Sequence, residues 1–120
     1  MHRVILAFAA FAGLVTPLVA QATLADDPPA AQVSIVEPNF QPAQGWTYDP
    51  AELTVPLGSM IIWTNTGAVA HTVTADDGVS FDSGSLDPQL QFSFTAESVG
   101  TLTYHCSFHP WMTGTITVTP

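Results

Sequence analysis

One short stretch near the carboxyl end of the chain holds three side chains that can bind a transition metal. Within the run from Tyr104 to Met112, Cys106 is followed three residues later by His109 and after three more by Met112. A thiolate, an imidazole and a thioether are soft-to-borderline ligands that suit copper, and Cys with two His and a weak axial Met is the ligand set of an electron-transfer copper site. His71, where a loop leads into a predicted strand, is our candidate for the second imidazole.

Each of these residues also has an ordinary structural interpretation. Cys106 is the only cysteine of the chain, so it cannot form an internal disulfide. It must therefore be buried and inert, paired with another chain, or a metal ligand. Two further donors at fixed offsets favour the ligand interpretation. Taken alone, His71 and His109 would more often be ordinary histidines and Met112 a core residue, so their assignment depends on Cys106.

His105 directly precedes the cysteine, yet we do not assign it as a ligand. Side chains alternate across a strand, so His105 points away from the core if Cys106 points into it. The His-x-His pairs that oxygen-reducing copper clusters require do not occur in the sequence, since Ser107 follows Cys106. This argues against oxygen reduction. Since the carboxylates also fall in turns and loops and the sequence has no phosphate-binding Gly loop, we predict that the protein is not an enzyme.

The spacing of the four donors resembles that of the cupredoxins, the type 1 (blue) copper family. The short Cys-x2-His-x2-Met loop is most similar to that of amicyanin, since plastocyanin and azurin have longer spacers. Within the family the chain most resembles amicyanin and plastocyanin-like proteins, and the resemblance covers residues 33–118. The resemblance implies one copper ion that cycles between Cu(I) and Cu(II). Its metal ligands would be His71, Cys106, His109 and Met112.

Three positions near the donors depart from the family pattern. Thr72 stands where many cupredoxins have an Asn that ties the ligand loop to its neighbour, and Ala70 replaces a common Pro. Phe108 stands where amicyanin and plastocyanin usually have Pro, so it has an N–H that Pro lacks. We expect this N–H, together with that of Thr72, to point at the sulfur of Cys106.

The elements that must position the donors are short strands. Thr- and Val-rich segments with alternating apolar residues recur with a turn roughly every dozen residues, and no segment has a helical period. This predicts an all-β fold, a small antiparallel Greek-key sandwich or barrel like that of the cupredoxins. The predicted strands are 33–36, 53–55, 60–64, 71–75, 90–95, 101–106 and 115–119. Residues 37–50, rich in Pro, are predicted to form a long loop, to which the sequence assigns no role.

The first residues have the pattern of an export signal. Residues 1–22 combine a short basic start, an apolar run and an Ala-x-Ala end, which predicts a signal peptide. A retained membrane anchor is the alternative, but the apolar run is short for a bilayer span. A flexible acidic, Pro-rich lead-in at 23–31 and a cupredoxin domain at 32–120 would follow. We expect a periplasmic or extracellular protein with no stable membrane association after cleavage.

The charge balance is strongly acidic. The formal net charge is −9, with ten acidic residues and one basic residue, Arg3, which signal cleavage would remove. This charge excludes nucleic acid as a partner and favours redox proteins with a basic docking face. Solubility alone would explain it equally well, and both interpretations remain open. We expect a monomer.

The resemblance implies a one-electron carrier between redox partners. It places the edge of His109 near the surface as the route for electrons, inside an apolar ring of Ala68, Val69, Pro110 and Trp111. Trp111 would be either exposed for docking or packed under the loop. The alternative functions are a copper carrier or store, which would release metal readily and need not be blue, and an interaction module with an empty site. The presence of all four donors disfavours the second.

Overall fold

The computed structural model of the chain describes residues 29–39 and 41–120. The predicted signal peptide and most of the predicted lead-in lie outside the described residues. Within those ranges the elements are β1 (Ala31–Val36), a 3₁₀ helix (Ala43–Gly45), β2 (Thr47–Asp49), β3 (Glu52–Pro56), β4 (Met60–Asn65), β5 (Thr74–Ala75), β6 (Gln91–Thr95), β7 (Gly100–His105) and β8 (Thr113–Thr119). Within the described ranges, no helix is long and apolar enough to cross a bilayer.

The strands of the described chain form two four-stranded sheets. One has the order β2-β1-β4-β6 and the other the order β3-β8-β7-β5. The β1/β4 and β3/β8 pairs are parallel and the other pairs are antiparallel. The predicted all-β sandwich is confirmed, and each sheet is mixed rather than wholly antiparallel. Parallel neighbours cannot be joined by a tight hairpin, so the chain must cross between the sheets to make these pairs.

Alternating side chains of the strands form the core. Trp63 of β4 is fully buried, and its indole Nε1 donates a hydrogen bond to Oη of Tyr104 in β7 at 3.1 Å. Each large apolar side chain removed from water contributes about 1.5–3 kcal/mol. Other buried apolar side chains include Val33, Ile35, Ile61, Val73, Ile116 and Val118. Because Tyr104 lies two residues before Cys106, this core directly supports the candidate metal centre.

Two segments differ from their predicted structure. The strand predicted at 71–75 is reduced to the two residues of β5. The N–H of Val73 donates to the Ser83 hydroxyl at 2.8 Å and is therefore not available to pair with a neighbouring strand. The loop predicted at 37–50 contains the 3₁₀ helix and β2, and it buries Trp46 and Tyr48. The Tyr48 hydroxyl donates to the carbonyl of Thr72 at 2.5 Å, so this segment supports the residue next to a candidate ligand.

Candidate metal centre

Three of the donors predicted from the sequence meet at one end of the sandwich. Cys106 follows β7 directly, His109 lies in the turn between β7 and β8, and His71 lies in the connection between β4 and β5. Their ligand atoms all lie within 4.8 Å of one another. Sγ of Cys106 is 3.9 Å from Nδ1 of His71 and 3.5 Å from Nδ1 of His109. Both imidazoles therefore present Nδ1 to the sulfur.

These separations fit a shared metal ion. Bonds of about 2.3 Å to sulfur and about 2.0 Å to nitrogen place the two donors about 3.7 Å apart at an angle near 120°, and slightly closer at a tetrahedral angle. The two observed separations lie close to this value. The thiolate and paired imidazoles, with a thioether near them in sequence, are the donor set of copper rather than of a closed structural zinc site.

The surroundings of Cys106 favour the thiolate. Its side chain is fully buried, and the backbone N–H of Thr72 donates to Sγ at 3.3 Å. Burial by itself raises the pKa of the Cys106 thiol, but hydrogen bonds from His71 and from the N–H groups of Thr72, His109 and Phe108 together lower it to about 6. The thiolate is the form that binds metal.

The loop from Cys106 to Met112 is closed by its own backbone. The N–H of His109 donates to the carbonyl of Cys106 at 3.2 Å, and the N–H of Met112 donates to the carbonyl of His109 at 2.9 Å. The N–H of Cys106 in turn donates to the carbonyl of Met112 at 3.1 Å. Two successive four-residue turns therefore hold the donor residues together, and Met112 is buried.

His71 is positioned by residues far from it in sequence. Its backbone N–H and C=O pair with Leu86, at 3.1 and 2.8 Å, and its side chain is fully buried. Buried Asn65 organises the preceding loop, since its Nδ2 donates to the carbonyls of Val69 and Leu86 and its Oδ1 accepts the N–H of Gly67. Sequence reasoning missed Asn65, although an Asn before Thr66-Gly67 is a typical turn signal.

Glu37, which follows β1, contacts the other nitrogen of the His71 imidazole, Nε2. Its Oε2 lies 2.7 Å from Nε2 of His71, and its oxygens accept the N–H groups of Ala68 and Val69 at 2.9 and 3.3 Å. Burial raises the pKa of Glu37, but these hydrogen bonds outweigh it and lower the pKa. Burial lowers the pKa of His71, and the hydrogen bonds to Cys106 and Glu37 outweigh it and raise the pKa. Sequence reasoning gave Glu37 no role.

Trp46 packs against both candidate histidines. Its ring meets His71 edge-on with centroids 5.7 Å apart and His109 with centroids 5.1 Å apart, while the two imidazoles are 4.9 Å apart. The indole is buried, so it shields the side of each ring that it contacts from water. The segment that the sequence left without a role thus covers the candidate metal centre.

The family is shown by comparison with known proteins. A family model described as a cupredoxin-like domain matches residues 5–118. The chain is a cupredoxin.

Individual relatives agree with this assignment. The chain is 33% identical over 75 residues to amicyanin from Paracoccus denitrificans and 31% identical over 75 residues to amicyanin-alpha from Methylorubrum extorquens. Each alignment covers 59% of this chain but only 57% and 63% of those proteins, less than two thirds of their length.

Solved structures are similar over a larger share of each chain. A purple cupredoxin from Nitrosopumilus maritimus is 33% identical with a TM-score of 0.66, covering 74% of this chain and 99% of the other. A reduced Cu(I) form of an amicyanin variant is 28% identical with a TM-score of 0.65, covering 79% and 88%.

This cupredoxin ties the two segments that carry its candidate ligands together through Thr72. The Thr72 hydroxyl accepts the N–H of Ser107 at 2.7 Å, in addition to the bond from the Thr72 N–H to the sulfur. The shorter reach of Thr, compared with the Asn usual at this position, is therefore sufficient to join the segments here.

Apolar side chains surround His109 at the surface. The rings of Phe108 and Trp111 lie 6.4 and 5.4 Å from the half-buried imidazole, and both are exposed. Pro110 is exposed as well. Trp111 is exposed and is also held in place, since its Nε1 donates to the carbonyl of Ala43 at 2.9 Å.

His105 lies outside the group of donors in this cupredoxin. Its Nδ1 lies 2.5 Å from Oδ1 of Asp76, and both side chains are partly exposed. This agrees with the predicted outward orientation of His105. The pair connects the end of β7 to the residue after β5 at the surface.

Proposed function

We propose that this cupredoxin binds one copper ion through His71, Cys106, His109 and Met112 and carries one electron at a time between redox proteins. The convergence of one buried thiolate-forming sulfur and two imidazole Nδ1 atoms within 4.8 Å supports this proposal most directly. Bound copper would supply a one-electron couple between Cu(I) and Cu(II).

The protein would contribute a centre that is arranged before the metal arrives. The backbone of His71 is paired with Leu86, and the loop carrying His109 is closed by its own hydrogen bonds. Trp46 packs edge-on against both rings and shields that side of each from water. A fixed, dry donor set reorganises little when the charge of the metal changes, which favours fast electron transfer.

The surface suggests where a partner would dock. The half-buried imidazole of His109 is surrounded by exposed Phe108, Pro110 and Trp111, and it is the candidate ligand ring nearest to solvent. The acidic composition would attract a partner with a basic face after export to the periplasm or beyond.

The visible spectrum of the purified chain with Cu(II) tests the copper proposal. We expect intense blue colour from thiolate-to-copper charge transfer, because Cys106 would be a direct ligand, and Cys106→Ser should abolish it. A colourless copper complex of the unaltered protein would contradict the type 1 assignment.

The kinetics of transfer test the proposed role. We expect reversible voltammetry and slow loss of Cu(I) to a chelator, whereas a copper store would release its metal readily. With a basic redox protein as partner, the second-order rate should fall as salt rises, because ions screen the attraction. A rate that does not depend on salt would point to docking through the apolar surface alone.

A further inference from the structure

We propose that Glu37 is a positioning residue for His71, which fixes the imidazole so that Nδ1 faces the metal and which lowers the reduction potential of the bound copper. The effect on the potential rests on the copper function proposed above. The positioning of the ring does not, since it follows from contacts that the protein makes on its own.

The carboxylate determines which imidazole nitrogen carries the proton. Oε2 of Glu37 lies 2.7 Å from Nε2 of His71, while Nδ1 of His71 points at Sγ of Cys106. A carboxylate accepts hydrogen bonds and a neutral imidazole has one N–H to donate, so that proton is placed on Nε2. The lone pair on Nδ1 is then free for a metal, as in other metal sites where a carboxylate orients a histidine ligand.

The carboxylate is itself held in place. Besides the imidazole it accepts the N–H groups of Ala68 and Val69, and its side chain is only 5% exposed. Two backbone N–H groups and one imidazole N–H donate hydrogen bonds to this one shielded carboxylate. Glu37 therefore connects the end of β1 to the loop that leads into His71. A carboxylate in this environment has few alternative conformations.

Gly67 provides the space that the carboxylate occupies. A Cβ added at Gly67 would overlap Oε2 and Cδ of Glu37. The glycines in the left-handed region are Gly58, Gly78, Gly84 and Gly100, so the backbone at Gly67 does not itself require a glycine. Among the described residues, the close approach of Glu37 is therefore what excludes a side chain at this position.

The charge has a predictable effect on copper. A carboxylate on Nε2–H increases the basicity of the imidazole, and a negative charge close to the metal favours Cu(II) over Cu(I). Glu37 therefore acts in the opposite direction to the Thr72 N–H, which withdraws charge from the Cys106 sulfur at 3.3 Å. The potential of this cupredoxin would reflect the balance of the two contacts.

Substitution of Glu37 tests the proposal by voltammetry of the copper protein. Glu37→Gln keeps the shape and an acceptor oxygen but removes the charge, so we expect a blue protein with a higher reduction potential. Glu37→Ala should shift the potential further in the same direction. Glu97→Gln is the matched control, because it removes the same charge from an exposed residue far from the candidate metal centre. Its neighbour Ala96 pairs with Ser59, which precedes β4, whereas the loop to His71 follows the other end of that strand.

Gly67→Ala provides a second test without removing the carboxylate. The added methyl group should displace Glu37 and raise the potential, and it should have little further effect in a Glu37→Ala background because the displaced group is already gone. Equal effects of Gly67→Ala in both backgrounds, or equal shifts in Glu37→Gln and Glu97→Gln, would overturn the proposal.

The metal-free protein gives a readout that does not depend on copper. We expect NMR to show a Nε2–H of His71 that exchanges slowly with solvent in the parent and rapidly in Glu37→Ala. A ring that carries its proton on Nδ1 and none on Nε2, or equal exchange in both proteins, would contradict the positioning role even if the parent turns blue. If the parent fails to turn blue but the Nε2–H is protected, the copper function fails and the positioning role stands.

Discussion

The two segments that carry the candidate histidines are held in different ways. His71 is fully buried, and its supports, Glu37 and Leu86, come from elsewhere in the chain. His109 is half-buried on a loop whose hydrogen bonds join residues only three to six positions apart. The first segment is therefore anchored by the fold and the second by local turns. This difference makes His71 the fixed side of the candidate centre and His109 its solvent-facing side, where the proposed docking would take place.

The two segments are nevertheless joined at several points. Thr72, next to His71, donates its N–H to Cys106 and accepts the N–H of Ser107 with its hydroxyl. Trp46 packs on both imidazoles. Substitutions that act on one segment and spare the other should therefore separate local support from support by the fold.

The largest difference should appear when each histidine is removed. We expect His71→Gly and His109→Gly both to lose the blue colour with Cu(II), and added imidazole to restore it only in His109→Gly. The reason is access, since His109 is half-buried beside exposed side chains whereas His71 is 0% exposed. Absorbance titration with imidazole measures this.

Cys106→Ser is the control for imidazole rescue, because imidazole cannot replace a thiolate and neither condition should be blue. Restoration of His71→Gly as readily as His109→Gly would contradict the contrast between a fixed and an accessible ligand.

The base of the 106–112 loop should be sensitive to one methyl group. Gly114 of β8 faces Tyr104 of β7, and an added Cβ would overlap the ring of that buried Tyr. We expect Gly114→Ala to reduce the free energy of unfolding by about 1–3 kcal/mol, the usual cost of overpacking. Urea unfolding of the metal-free protein measures it. Gly45→Ala is the control, since a Cβ there meets nothing within 4 Å, and an equal loss in both variants would refute the local explanation.

A smaller effect should follow from the loop's own hydrogen bond to sulfur. The N–H of Phe108 contributes to the low pKa of Cys106, so Phe108→Pro should increase charge on the thiolate, favour Cu(II) and lower the reduction potential. We expect a shift on the order of tens of mV, where ~59 mV is a tenfold change for one electron. Voltammetry measures it.

Phe108→Ala separates the N–H from the exposed ring, because it removes the ring and keeps the N–H. It should retain the parent potential. An unchanged or higher potential in the Pro variant, with the protein still blue, would defeat the hydrogen-bond explanation.

The smallest effect should come from the surface pair of His105, at the end of β7, and Asp76, after β5. Hydrogen bonds from Thr103 and His105 hold the pKa of Asp76 below its ordinary value of 3.8. A depressed folded pKa gives stability that is present above the unfolded value and is lost as pH falls through the folded one. Asp76→Asn should therefore cost at most about 1 kcal/mol near neutral pH, since the pair is partly exposed, and nothing in strong acid.

Urea midpoints across pH, compared with those of Asp87→Asn at another exposed carboxylate, measure the effect of Asp76. A loss that persists unchanged into strong acid would show that Asp76 acts through packing rather than through its charge.

The sequence by itself determined the part of the protein that depends on near neighbours. The spacing from Cys106 to Met112, together with strand alternation, was enough to predict the all-β fold, the family and the inward direction of the cysteine. The predicted contact of the Thr72 N–H with the sulfur is also confirmed. These features follow from turns and from a period of two, both of which are visible along the chain. Ligation of copper by His71, Cys106, His109 and Met112 stays a prediction.

Only the tertiary structure decided what holds His71. Glu37 and Trp46 lie in a Pro-rich segment without period, where a carboxylate is normally expected to be solvated and an indole has no predictable neighbour. Their contacts with the imidazole exist because β1 pairs in parallel with β4, which places the end of β1 beside the loop that leads into His71. A contact between elements that are adjacent in space but distant along the chain leaves no local pattern, and this is the physical reason that the sequence could not reveal it.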